Sequence, residues 1–182
     1  MSEDVINANP TVIDVSDLPT RLITKPKKNE FLEDISSLSL SEPELSDMET
    51  DEDNEDIDAQ EIFDLLATMS DPEHPLTLAQ LAIVNLPDIH VKNIENGLSE
   101  VLIKITPTIT HCSLATLIGL GIRVRLERCL PPRFRIRIFL KEGTHQSENQ
   151  VNKQLNDKER VAAACENEQL LSVISQMLST CK

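Results

Sequence analysis

The uneven division of charge along the chain limits which part of it can fold. Residues 1–70 hold 19 Asp and Glu against 4 Lys and Arg, whereas residues 71–182 hold 12 against 13, for a net charge of −14. Apolar residues before position 55 follow no period, and residues 41–58 are mostly acidic or small and polar. Such a segment cannot bury enough apolar surface to offset the entropy lost on ordering. We therefore predict a disordered acidic tail at 1–55 and one folded domain at 56–182.

The tail has two interpretations. Ser46 and Thr50 precede acidic residues, a pattern typical of phosphorylated regulatory tails. The composition as a whole is equally typical of a solubilising linker, which is the interpretation we favour.

Residues 106–118 predict a strand end, a loop and a helix start. Pro107 cannot donate to a sheet ladder, so the strand Val101–Ile105 should stop there. Ser113 is a good N-cap for the apolar run that follows, which places Cys112 directly before the helix. The positive end of the helix dipole favours an anion, so we expect the pKa of this thiol to lie below its free value of about 8.5.

Two interpretations of Cys112 stay open on these residues. A lone cysteine is most often a packing residue. The functional interpretation is a reactive thiol, because Cys112 lies in a loop at a helix start among the polar residues Thr108, Thr110, His111 and Ser113. The residues alone leave the two evenly balanced.

Apolar periodicity predicts the elements of the folded part. Helical spacing of the apolar residues predicts four helices. The first spans 57–69, the second follows Cys112, the third starts at a Ser147–Gln150 capping box, and the last runs from Asn156 or Asp157 onward. Alternation predicts strands at 83–92 (broken by Pro87), at 100–105 and at 133–140. Asn96–Gly97 predicts a two-residue hairpin turn, and the glycines at 119 and 121 predict close packing of the central helix.

Residues 71–75, Asp-Pro-Glu-His-Pro, should form a rigid turn, because two prolines three residues apart exclude regular structure. The simpler interpretation is a loop capped by Asp71. In the functional interpretation, Asp71, Glu73 or His74 faces the Cys112 loop as a hydrogen-bond partner or a ligand. The residues favour the simpler interpretation.

Arginines alternate with apolar residues at the start of the strand at 133–140. Arg133, Arg135 and Arg137 should share one face, which is the clearest charge feature of the folded part. This face is open to three interpretations: a nucleic-acid contact, a docking surface for an acidic protein or the chain's own tail, and a solvated face. Base stacking usually needs interleaved aromatic residues, so nucleic acid is the least favoured of the three.

The four cysteines indicate a reducing compartment, because they form no Cys-x-x-Cys pair and lack zinc-finger spacing. The sequence shows no signal peptide and no apolar run near the roughly 20 residues that span a bilayer. We therefore expect the cytosol or the nucleus, and no membrane partner. Cys129 and Cys165 are predicted to be packing residues.

Three segments, in order, resemble the eukaryotic cytosolic iron–sulfur assembly component 2 family, also called the mitotic-spindle-associated MMXD subunit family. They are Asp71–Leu76, Thr106–Leu120 and Gly143–Ala164. The chain departs from the family pattern at Thr110, where a second proline usually precedes His-Cys. This departure bears on the rigidity of the loop.

The resemblance implies a small α/β (α+β) domain of the metal–sulfur cluster assembly type, with a short mixed sheet of about three strands packed by helices. It implies a component of the cytosolic targeting complex, with WD40-propeller and HEAT-repeat partners. That complex transfers iron–sulfur clusters to apoproteins such as DNA polymerases and helicases, and the family has a linked role in chromosome segregation. The family's reactive cysteine falls on Cys112.

A single well-placed thiol limits what the chain can do with a cluster. Thiolates suit iron–sulfur clusters, but stable clusters usually have four cysteine ligands. We therefore expect transient or shared cluster binding at Cys112, no stable cofactor, and an assembly factor of cytoplasm and nucleus that is not an enzyme. The alternatives are an interaction adaptor without cluster handling and a thiol enzyme that uses Cys112 with His111, His74 or His145 as base. We expect no direct nucleic-acid binding, and a homodimer is left open.

Overall fold

The described residues form an α/β fold with a mixed sheet, as predicted. The computed structural model describes residues 12–21, 57–94, 97–108 and 114–181. Within these ranges the strands are β1 (Ile89–Asn93), β2 (Ser99–Ile105) and β3 (Phe134–Leu140). The helices are α1 (Ala59–Ala67), α2 (Leu114–Cys129), α3 (Glu148–Asn156), α4 (Lys158–Cys165) and α5 (Glu168–Leu178).

The sheet has the order β1-β2-β3, and its two strand pairs run differently. β1 pairs antiparallel with β2, which confirms the predicted hairpin. The ladder closes with Asn93 opposite Ser99, and Ile94 N donates to Leu98 O at 2.7 Å beyond it. Asn96 lies outside the described residues, so the two-residue turn stays a prediction. Gly97 has a φ of +73°, a left-handed conformation that costs glycine little.

β3 pairs parallel with β2, because α2 carries the chain across the sheet between them. The inward positions of both strands are buried, as the alternation predicted: Val101, Ile103 and Ile105 on β2, and Ile136, Ile138 and Leu140 on β3. These side chains and the apolar side of α2 belong to the main hydrophobic core.

Residues 83–87 do not form the predicted strand. Ile83 and Val84 are buried, and the carbonyl of Ile83 accepts from the N–H of Thr106 at 2.9 Å. A 3₁₀ turn then spans Leu86–Asp88, with Pro87 inside it. Proline lacks an N–H for a ladder and its fixed φ suits a helical turn, so β1 begins only at Ile89.

The prediction of disorder is wrong for residues 12–20. Ile13 N donates to Gln80 O at 2.8 Å, Gln60 Nε2 donates to Pro19 O at 3.1 Å, and Leu18 packs against the core. Two hydrogen bonds and the packing of Leu18 therefore hold the segment on the folded domain. Residues 1–11 and 22–55 lie outside the described residues, and their disorder stays a prediction.

The predicted start of the first helix is confirmed, whereas two predictions about the C-terminal helices are wrong. Asp58 caps α1 in a capping box with Glu61. Ser147 precedes α3 but makes no side-chain cap, so the predicted Ser147–Gln150 box is absent. The predicted last helix is two helices, because Asn167 accepts from two backbone N–H groups and starts α5 anew.

Close packing at the glycines of α2 is confirmed. A Cβ on Gly119 would lie 2.5 Å from Cδ1 of Leu155 on α3, and a Cβ on Gly121 would lie 3.1 Å from Cε of Met177 on α5. The missing side chains thus let α3 and α5 approach α2 closely.

The outer edge of β3 is covered by side chains. Asn156 donates to Ile138 O at 2.7 Å and accepts from Ile138 N at 3.3 Å, and Asn152 accepts from Leu140 N at 2.8 Å. These asparagines of α3 replace a fourth strand and protect the edge from pairing with another chain.

In the part of the chain that the structure describes, none of the helices combines the length and apolar character needed to cross a membrane.

Candidate functional site

β2 and α2 position the two ends of the loop that carries Cys112. β2 ends at Ile105, whose carbonyl accepts from Lys141 N at 2.8 Å, so the strand stops before Pro107 as predicted. Thr108 is half-buried, and α2 begins at Leu114. The loop therefore joins a central strand to a buried helix, both of which are rigid supports.

The loop itself lies outside the described residues. Cys112, His111 and Ser113 fall within 109–113, as does Thr110. The cap by Ser113, the ionised thiol and the supporting roles of His111 and Thr108 stay predictions.

The Asp71 turn has the geometry of the simpler interpretation. Asp71 Oδ1 accepts from the N–H groups of Glu73 and His74, both at 2.9 Å, and lies 3.1 Å from His74 Nδ1. Ser70 N donates to Met177 O at 3.0 Å, and Asp71 N donates to Leu76 O at 2.9 Å. The turn is thus closed on itself and tied to the end of α5.

One atom of this turn is not explained by capping. The Asp71 side chain is 0% exposed, and its Oδ2 is buried with no hydrogen-bond partner among the described residues. Buried carboxylate oxygens almost always have a donor, so this acceptor is available for a further hydrogen bond. Glu73, by contrast, is exposed. Whether either residue faces Cys112 stays a prediction.

His145, a candidate base, is buried and held by its own turn. Its Nδ1 accepts from Ser147 N at 3.1 Å. The lone pair of Nδ1 is therefore engaged with the backbone before α3, and that nitrogen is not placed to take a proton from a thiol.

The other cysteines differ from one another in exposure. Cys129 is exposed at the end of α2, so its predicted packing role is wrong. Cys165 packs against Leu120 and its neighbours as predicted, and burial, followed by the carboxylate of Glu127, raises the pKa of its thiol. Cys181 is half-buried and its Sγ lies 3.8 Å from the Thr68 hydroxyl.

Within the described residues, no group of three or more His, Cys, Asp or Glu side chains is placed to hold a metal ion.

Arg133, Arg135 and Arg137 line one groove of about 650 Å³, and their role in docking stays a prediction. Arg135 and Arg137 are exposed, whereas Ile136 and Ile138 point into the core. We call this surface the arginine groove; its lining includes Leu98, Arg133, Phe134, Arg135, Arg137 and Lys158.

Arg123 is a buried charged residue that the sequence analysis did not single out. It is 8% exposed; its Nη1 donates to Ile136 O at 3.3 Å and Leu155 O at 3.2 Å, and its Nε donates to Glu127 at 2.9 Å. The signal was present, since Arg123 lies four residues after Gly119 and three before Leu126 on the apolar side of α2.

Comparison with known proteins gives a consistent family. The profile of a family described as iron–sulfur cluster assembly protein matches residues 59–137, which run from α1 into β3. A MIP18 family protein of Saccharomyces cerevisiae is 77% identical over 128 residues, covering 69% of this chain; the chain spans only 55% of that relative's length.

Two further relatives match over most of their own length. A MIP18 family protein of Schizosaccharomyces pombe is 55% identical over 181 residues, covering 100% of this chain and 99% of the relative. A mouse protein named cytosolic iron–sulfur assembly component 2B is 53% identical over 137 residues, covering 75% of this chain and 82% of the relative. On these matches, the chain belongs to the MIP18 family of iron–sulfur cluster assembly proteins.

Proposed function

We propose that this chain is a component of cytosolic iron–sulfur protein assembly that passes clusters to cytosolic and nuclear apoproteins. The observation that carries the proposal is the likeness to proteins of mouse and Dictyostelium discoideum named cytosolic iron–sulfur assembly component 2B, at 53% and 41% identity. The cluster is the cargo in this proposal and not a resident cofactor.

Cys112 supplies the ligand for the cargo. A thiolate is the soft ligand that iron–sulfur clusters prefer, and a single thiol holds a cluster only until another protein provides the remaining ligands. The loop between β2 and α2 suits this task, because its two ends are anchored in rigid elements and it leads directly into the start of α2.

The supporting residues keep the thiol ready for transfer. Asp71 fixes the turn that carries Glu73, and its free Oδ2 is available to accept a hydrogen bond from the cysteine loop. We propose that His111, Ser113 and Thr108 supply polar groups around the sulfur, which favour the thiolate over the thiol.

Our proposal for the partners rests on the resemblance to the family. We propose that the chain acts in a targeting complex with WD40-propeller and HEAT-repeat subunits. Its clients then include DNA polymerases and helicases, and chromosome segregation depends on it through those clients. We propose that the chain acts in the cytoplasm and the nucleus.

Two other functions can be distinguished from this one by experiment. An adaptor that only joins partner proteins needs no thiol. A thiol enzyme turns over a substrate at Cys112 and needs a base, for which His74 remains a candidate because its side chain is 35% exposed. We favour the assembly factor over both, and we propose that the chain has no catalytic turnover.

Complementation in fission yeast tests the proposed function. Depleting the Schizosaccharomyces pombe relative should lower the incorporation of radioactive iron into a cytosolic iron–sulfur protein, and expressing this chain should restore it, since the two are 55% identical over their length. A mitochondrial iron–sulfur protein is the control and should keep its iron throughout. If depletion leaves cytosolic incorporation unchanged, or if this chain is well expressed and restores nothing, the proposal is wrong.

A further inference from the structure

We propose that the arginine groove binds an extended acidic segment of a partner protein. The inference deepens the proposed function, because it gives the chemistry of one partner at a surface separate from the Cys112 loop. The inference depends on the charge of the groove, the spacing of its arginines and its apolar rim.

The charge of the groove is suited to carboxylates. Arg135 and Lys158 are exposed and make no ion pair with the described part of the chain. Arg137 already holds Glu100 at 3.3 Å, so a guanidinium on this face can pair with a carboxylate.

The spacing of the arginines matches an extended peptide. Arg135 and Arg137 occupy alternate positions of β3, so their Cα atoms are separated by about 6.5–7 Å, and Arg133 lies one residue before the strand begins. Acidic residues at alternate positions of an extended segment have the same separation, so one carboxylate can meet Arg135 while the next meets the exposed guanidinium of Arg137.

An apolar rim lies at the end of the groove where β3 begins. Leu98 is 45% exposed and Ile94 is 42% exposed, and Ser99 N donates to Arg133 O at 3.0 Å, which fixes the hairpin beside the first arginine. Exposed apolar side chains beside a charged patch are typical of protein contact surfaces. The segment therefore carries an apolar residue next to its acidic ones.

Recognition takes place through side chains and not by strand addition. The outward backbone groups of Ile138 and Leu140 are used by Asn156 and Asn152, and Ile136 O is used by Arg123. A partner strand has no continuous ladder to join at this edge.

The same observations disfavour nucleic acid. Arg133 lies over the ring of Phe134, 5.4 Å from its centroid, and covers the face on which a base would stack.

Peptide binding to the purified full-length chain tests the proposal. The probes are fluorescein-labelled ten-residue peptides with Glu at four alternate positions and one Leu near either end, matched peptides with Gln for Glu, and a ten-nucleotide single-stranded DNA. Arg135→Glu alters the groove. Lys153→Glu, an exposed lysine of α3 that does not line the groove, makes the same charge change elsewhere.

Fluorescence anisotropy should show that the Glu peptides bind and that the Gln peptides bind about tenfold more weakly or worse, because the charged pairs are lost. Arg135→Glu should raise the Kd about tenfold, whereas Lys153→Glu should change it less than about twofold. Of the two Glu peptides, the one whose Leu lies near Leu98 should bind more tightly. Leu98→Asn should remove this difference in affinity.

Three results would overturn the proposal. The first is that no Glu peptide binds better than its Gln partner. The second is that Arg135→Glu and Lys153→Glu, both with unchanged circular dichroism, weaken binding equally. The third is that the DNA binds more tightly than any peptide and depends on Arg135. None of these results bears on iron incorporation, so a failure here is distinguishable from a failure of the proposed function.

Discussion

Replacing Arg123 by alanine should lower the free energy of unfolding by about 3 kcal/mol, because two buried carbonyls lose their donor at once. The guanidinium joins β3 to α3 through Ile136 O and Leu155 O. Its ion pair with Glu127 contributes less, since the Glu127 side chain is 48% exposed and water can solvate it after the change.

Urea unfolding of the purified chain measures this effect. Arg128→Ala is the matched control, because Arg128 is exposed on the same helix and its loss should change stability by less than about 0.5 kcal/mol. Arg123→Met keeps most of the apolar stem and should recover only part of the loss. A loss for Arg123→Ala no larger than that of the control would show that the two carbonyls find other donors.

Replacing Gly119 by alanine should destabilise the chain by about 1–2 kcal/mol, although alanine is the better helix former by about 1 kcal/mol. The new Cβ would lie 2.5 Å and 2.8 Å from the two methyl carbons of Leu155, which is 1% exposed and has little room to move. Overpacking therefore outweighs the gain in helix propensity.

A double-mutant cycle isolates this clash. Leu155→Ala costs stability alone, but Gly119→Ala added to it should become neutral or stabilising, because the methyl groups it meets are gone. Gly121→Ala is the control on the same helix: its nearest atom is the flexible Cε of Met177 at 3.1 Å, so we expect a smaller loss or a gain. Additive effects of Gly119→Ala and Leu155→Ala would refute the packing explanation.

Elements that bury one face were predictable from the sequence. β2 and β3 alternate apolar and polar residues with a period of two, and a strand with one buried side requires that pattern. The strand predicted at residues 83–84 was wrong for the converse reason. They are apolar because they are buried in a loop, and burial without regular pairing leaves the same apolar signal as a strand.

Long-range partners of polar residues were not predictable. Arg123 is buried because carbonyls of β3 and α3 converge on it, and Asn156 is placed to cover the edge of β3. Neither partner is near in sequence, so local patterns carry no sign of the pairing. The packing of residues 12–20 was missed for a related reason, because an acidic composition masks a few apolar anchors such as Leu18.

The candidate site likewise has one part that was predictable from the sequence and one part that was not. The capping of the turn by Asp71 followed from the Asp-Pro pair, because both the side chain and its donors lie within three residues. The burial of its second oxygen without a donor depends on the surrounding packing, and only the structure reveals it.

The dependence of iron incorporation on Cys112 tests the central claim most directly. In fission yeast depleted of its own relative, the chain with Cys112→Ser should leave a cytosolic iron–sulfur protein without radioactive iron, although the variant is folded and still co-purifies with its partners. The chain with Cys129→Ser, which changes an exposed thiol at the far end of α2, should restore normal incorporation. Full restoration by Cys112→Ser would contradict the account and favour an adaptor that needs no thiol.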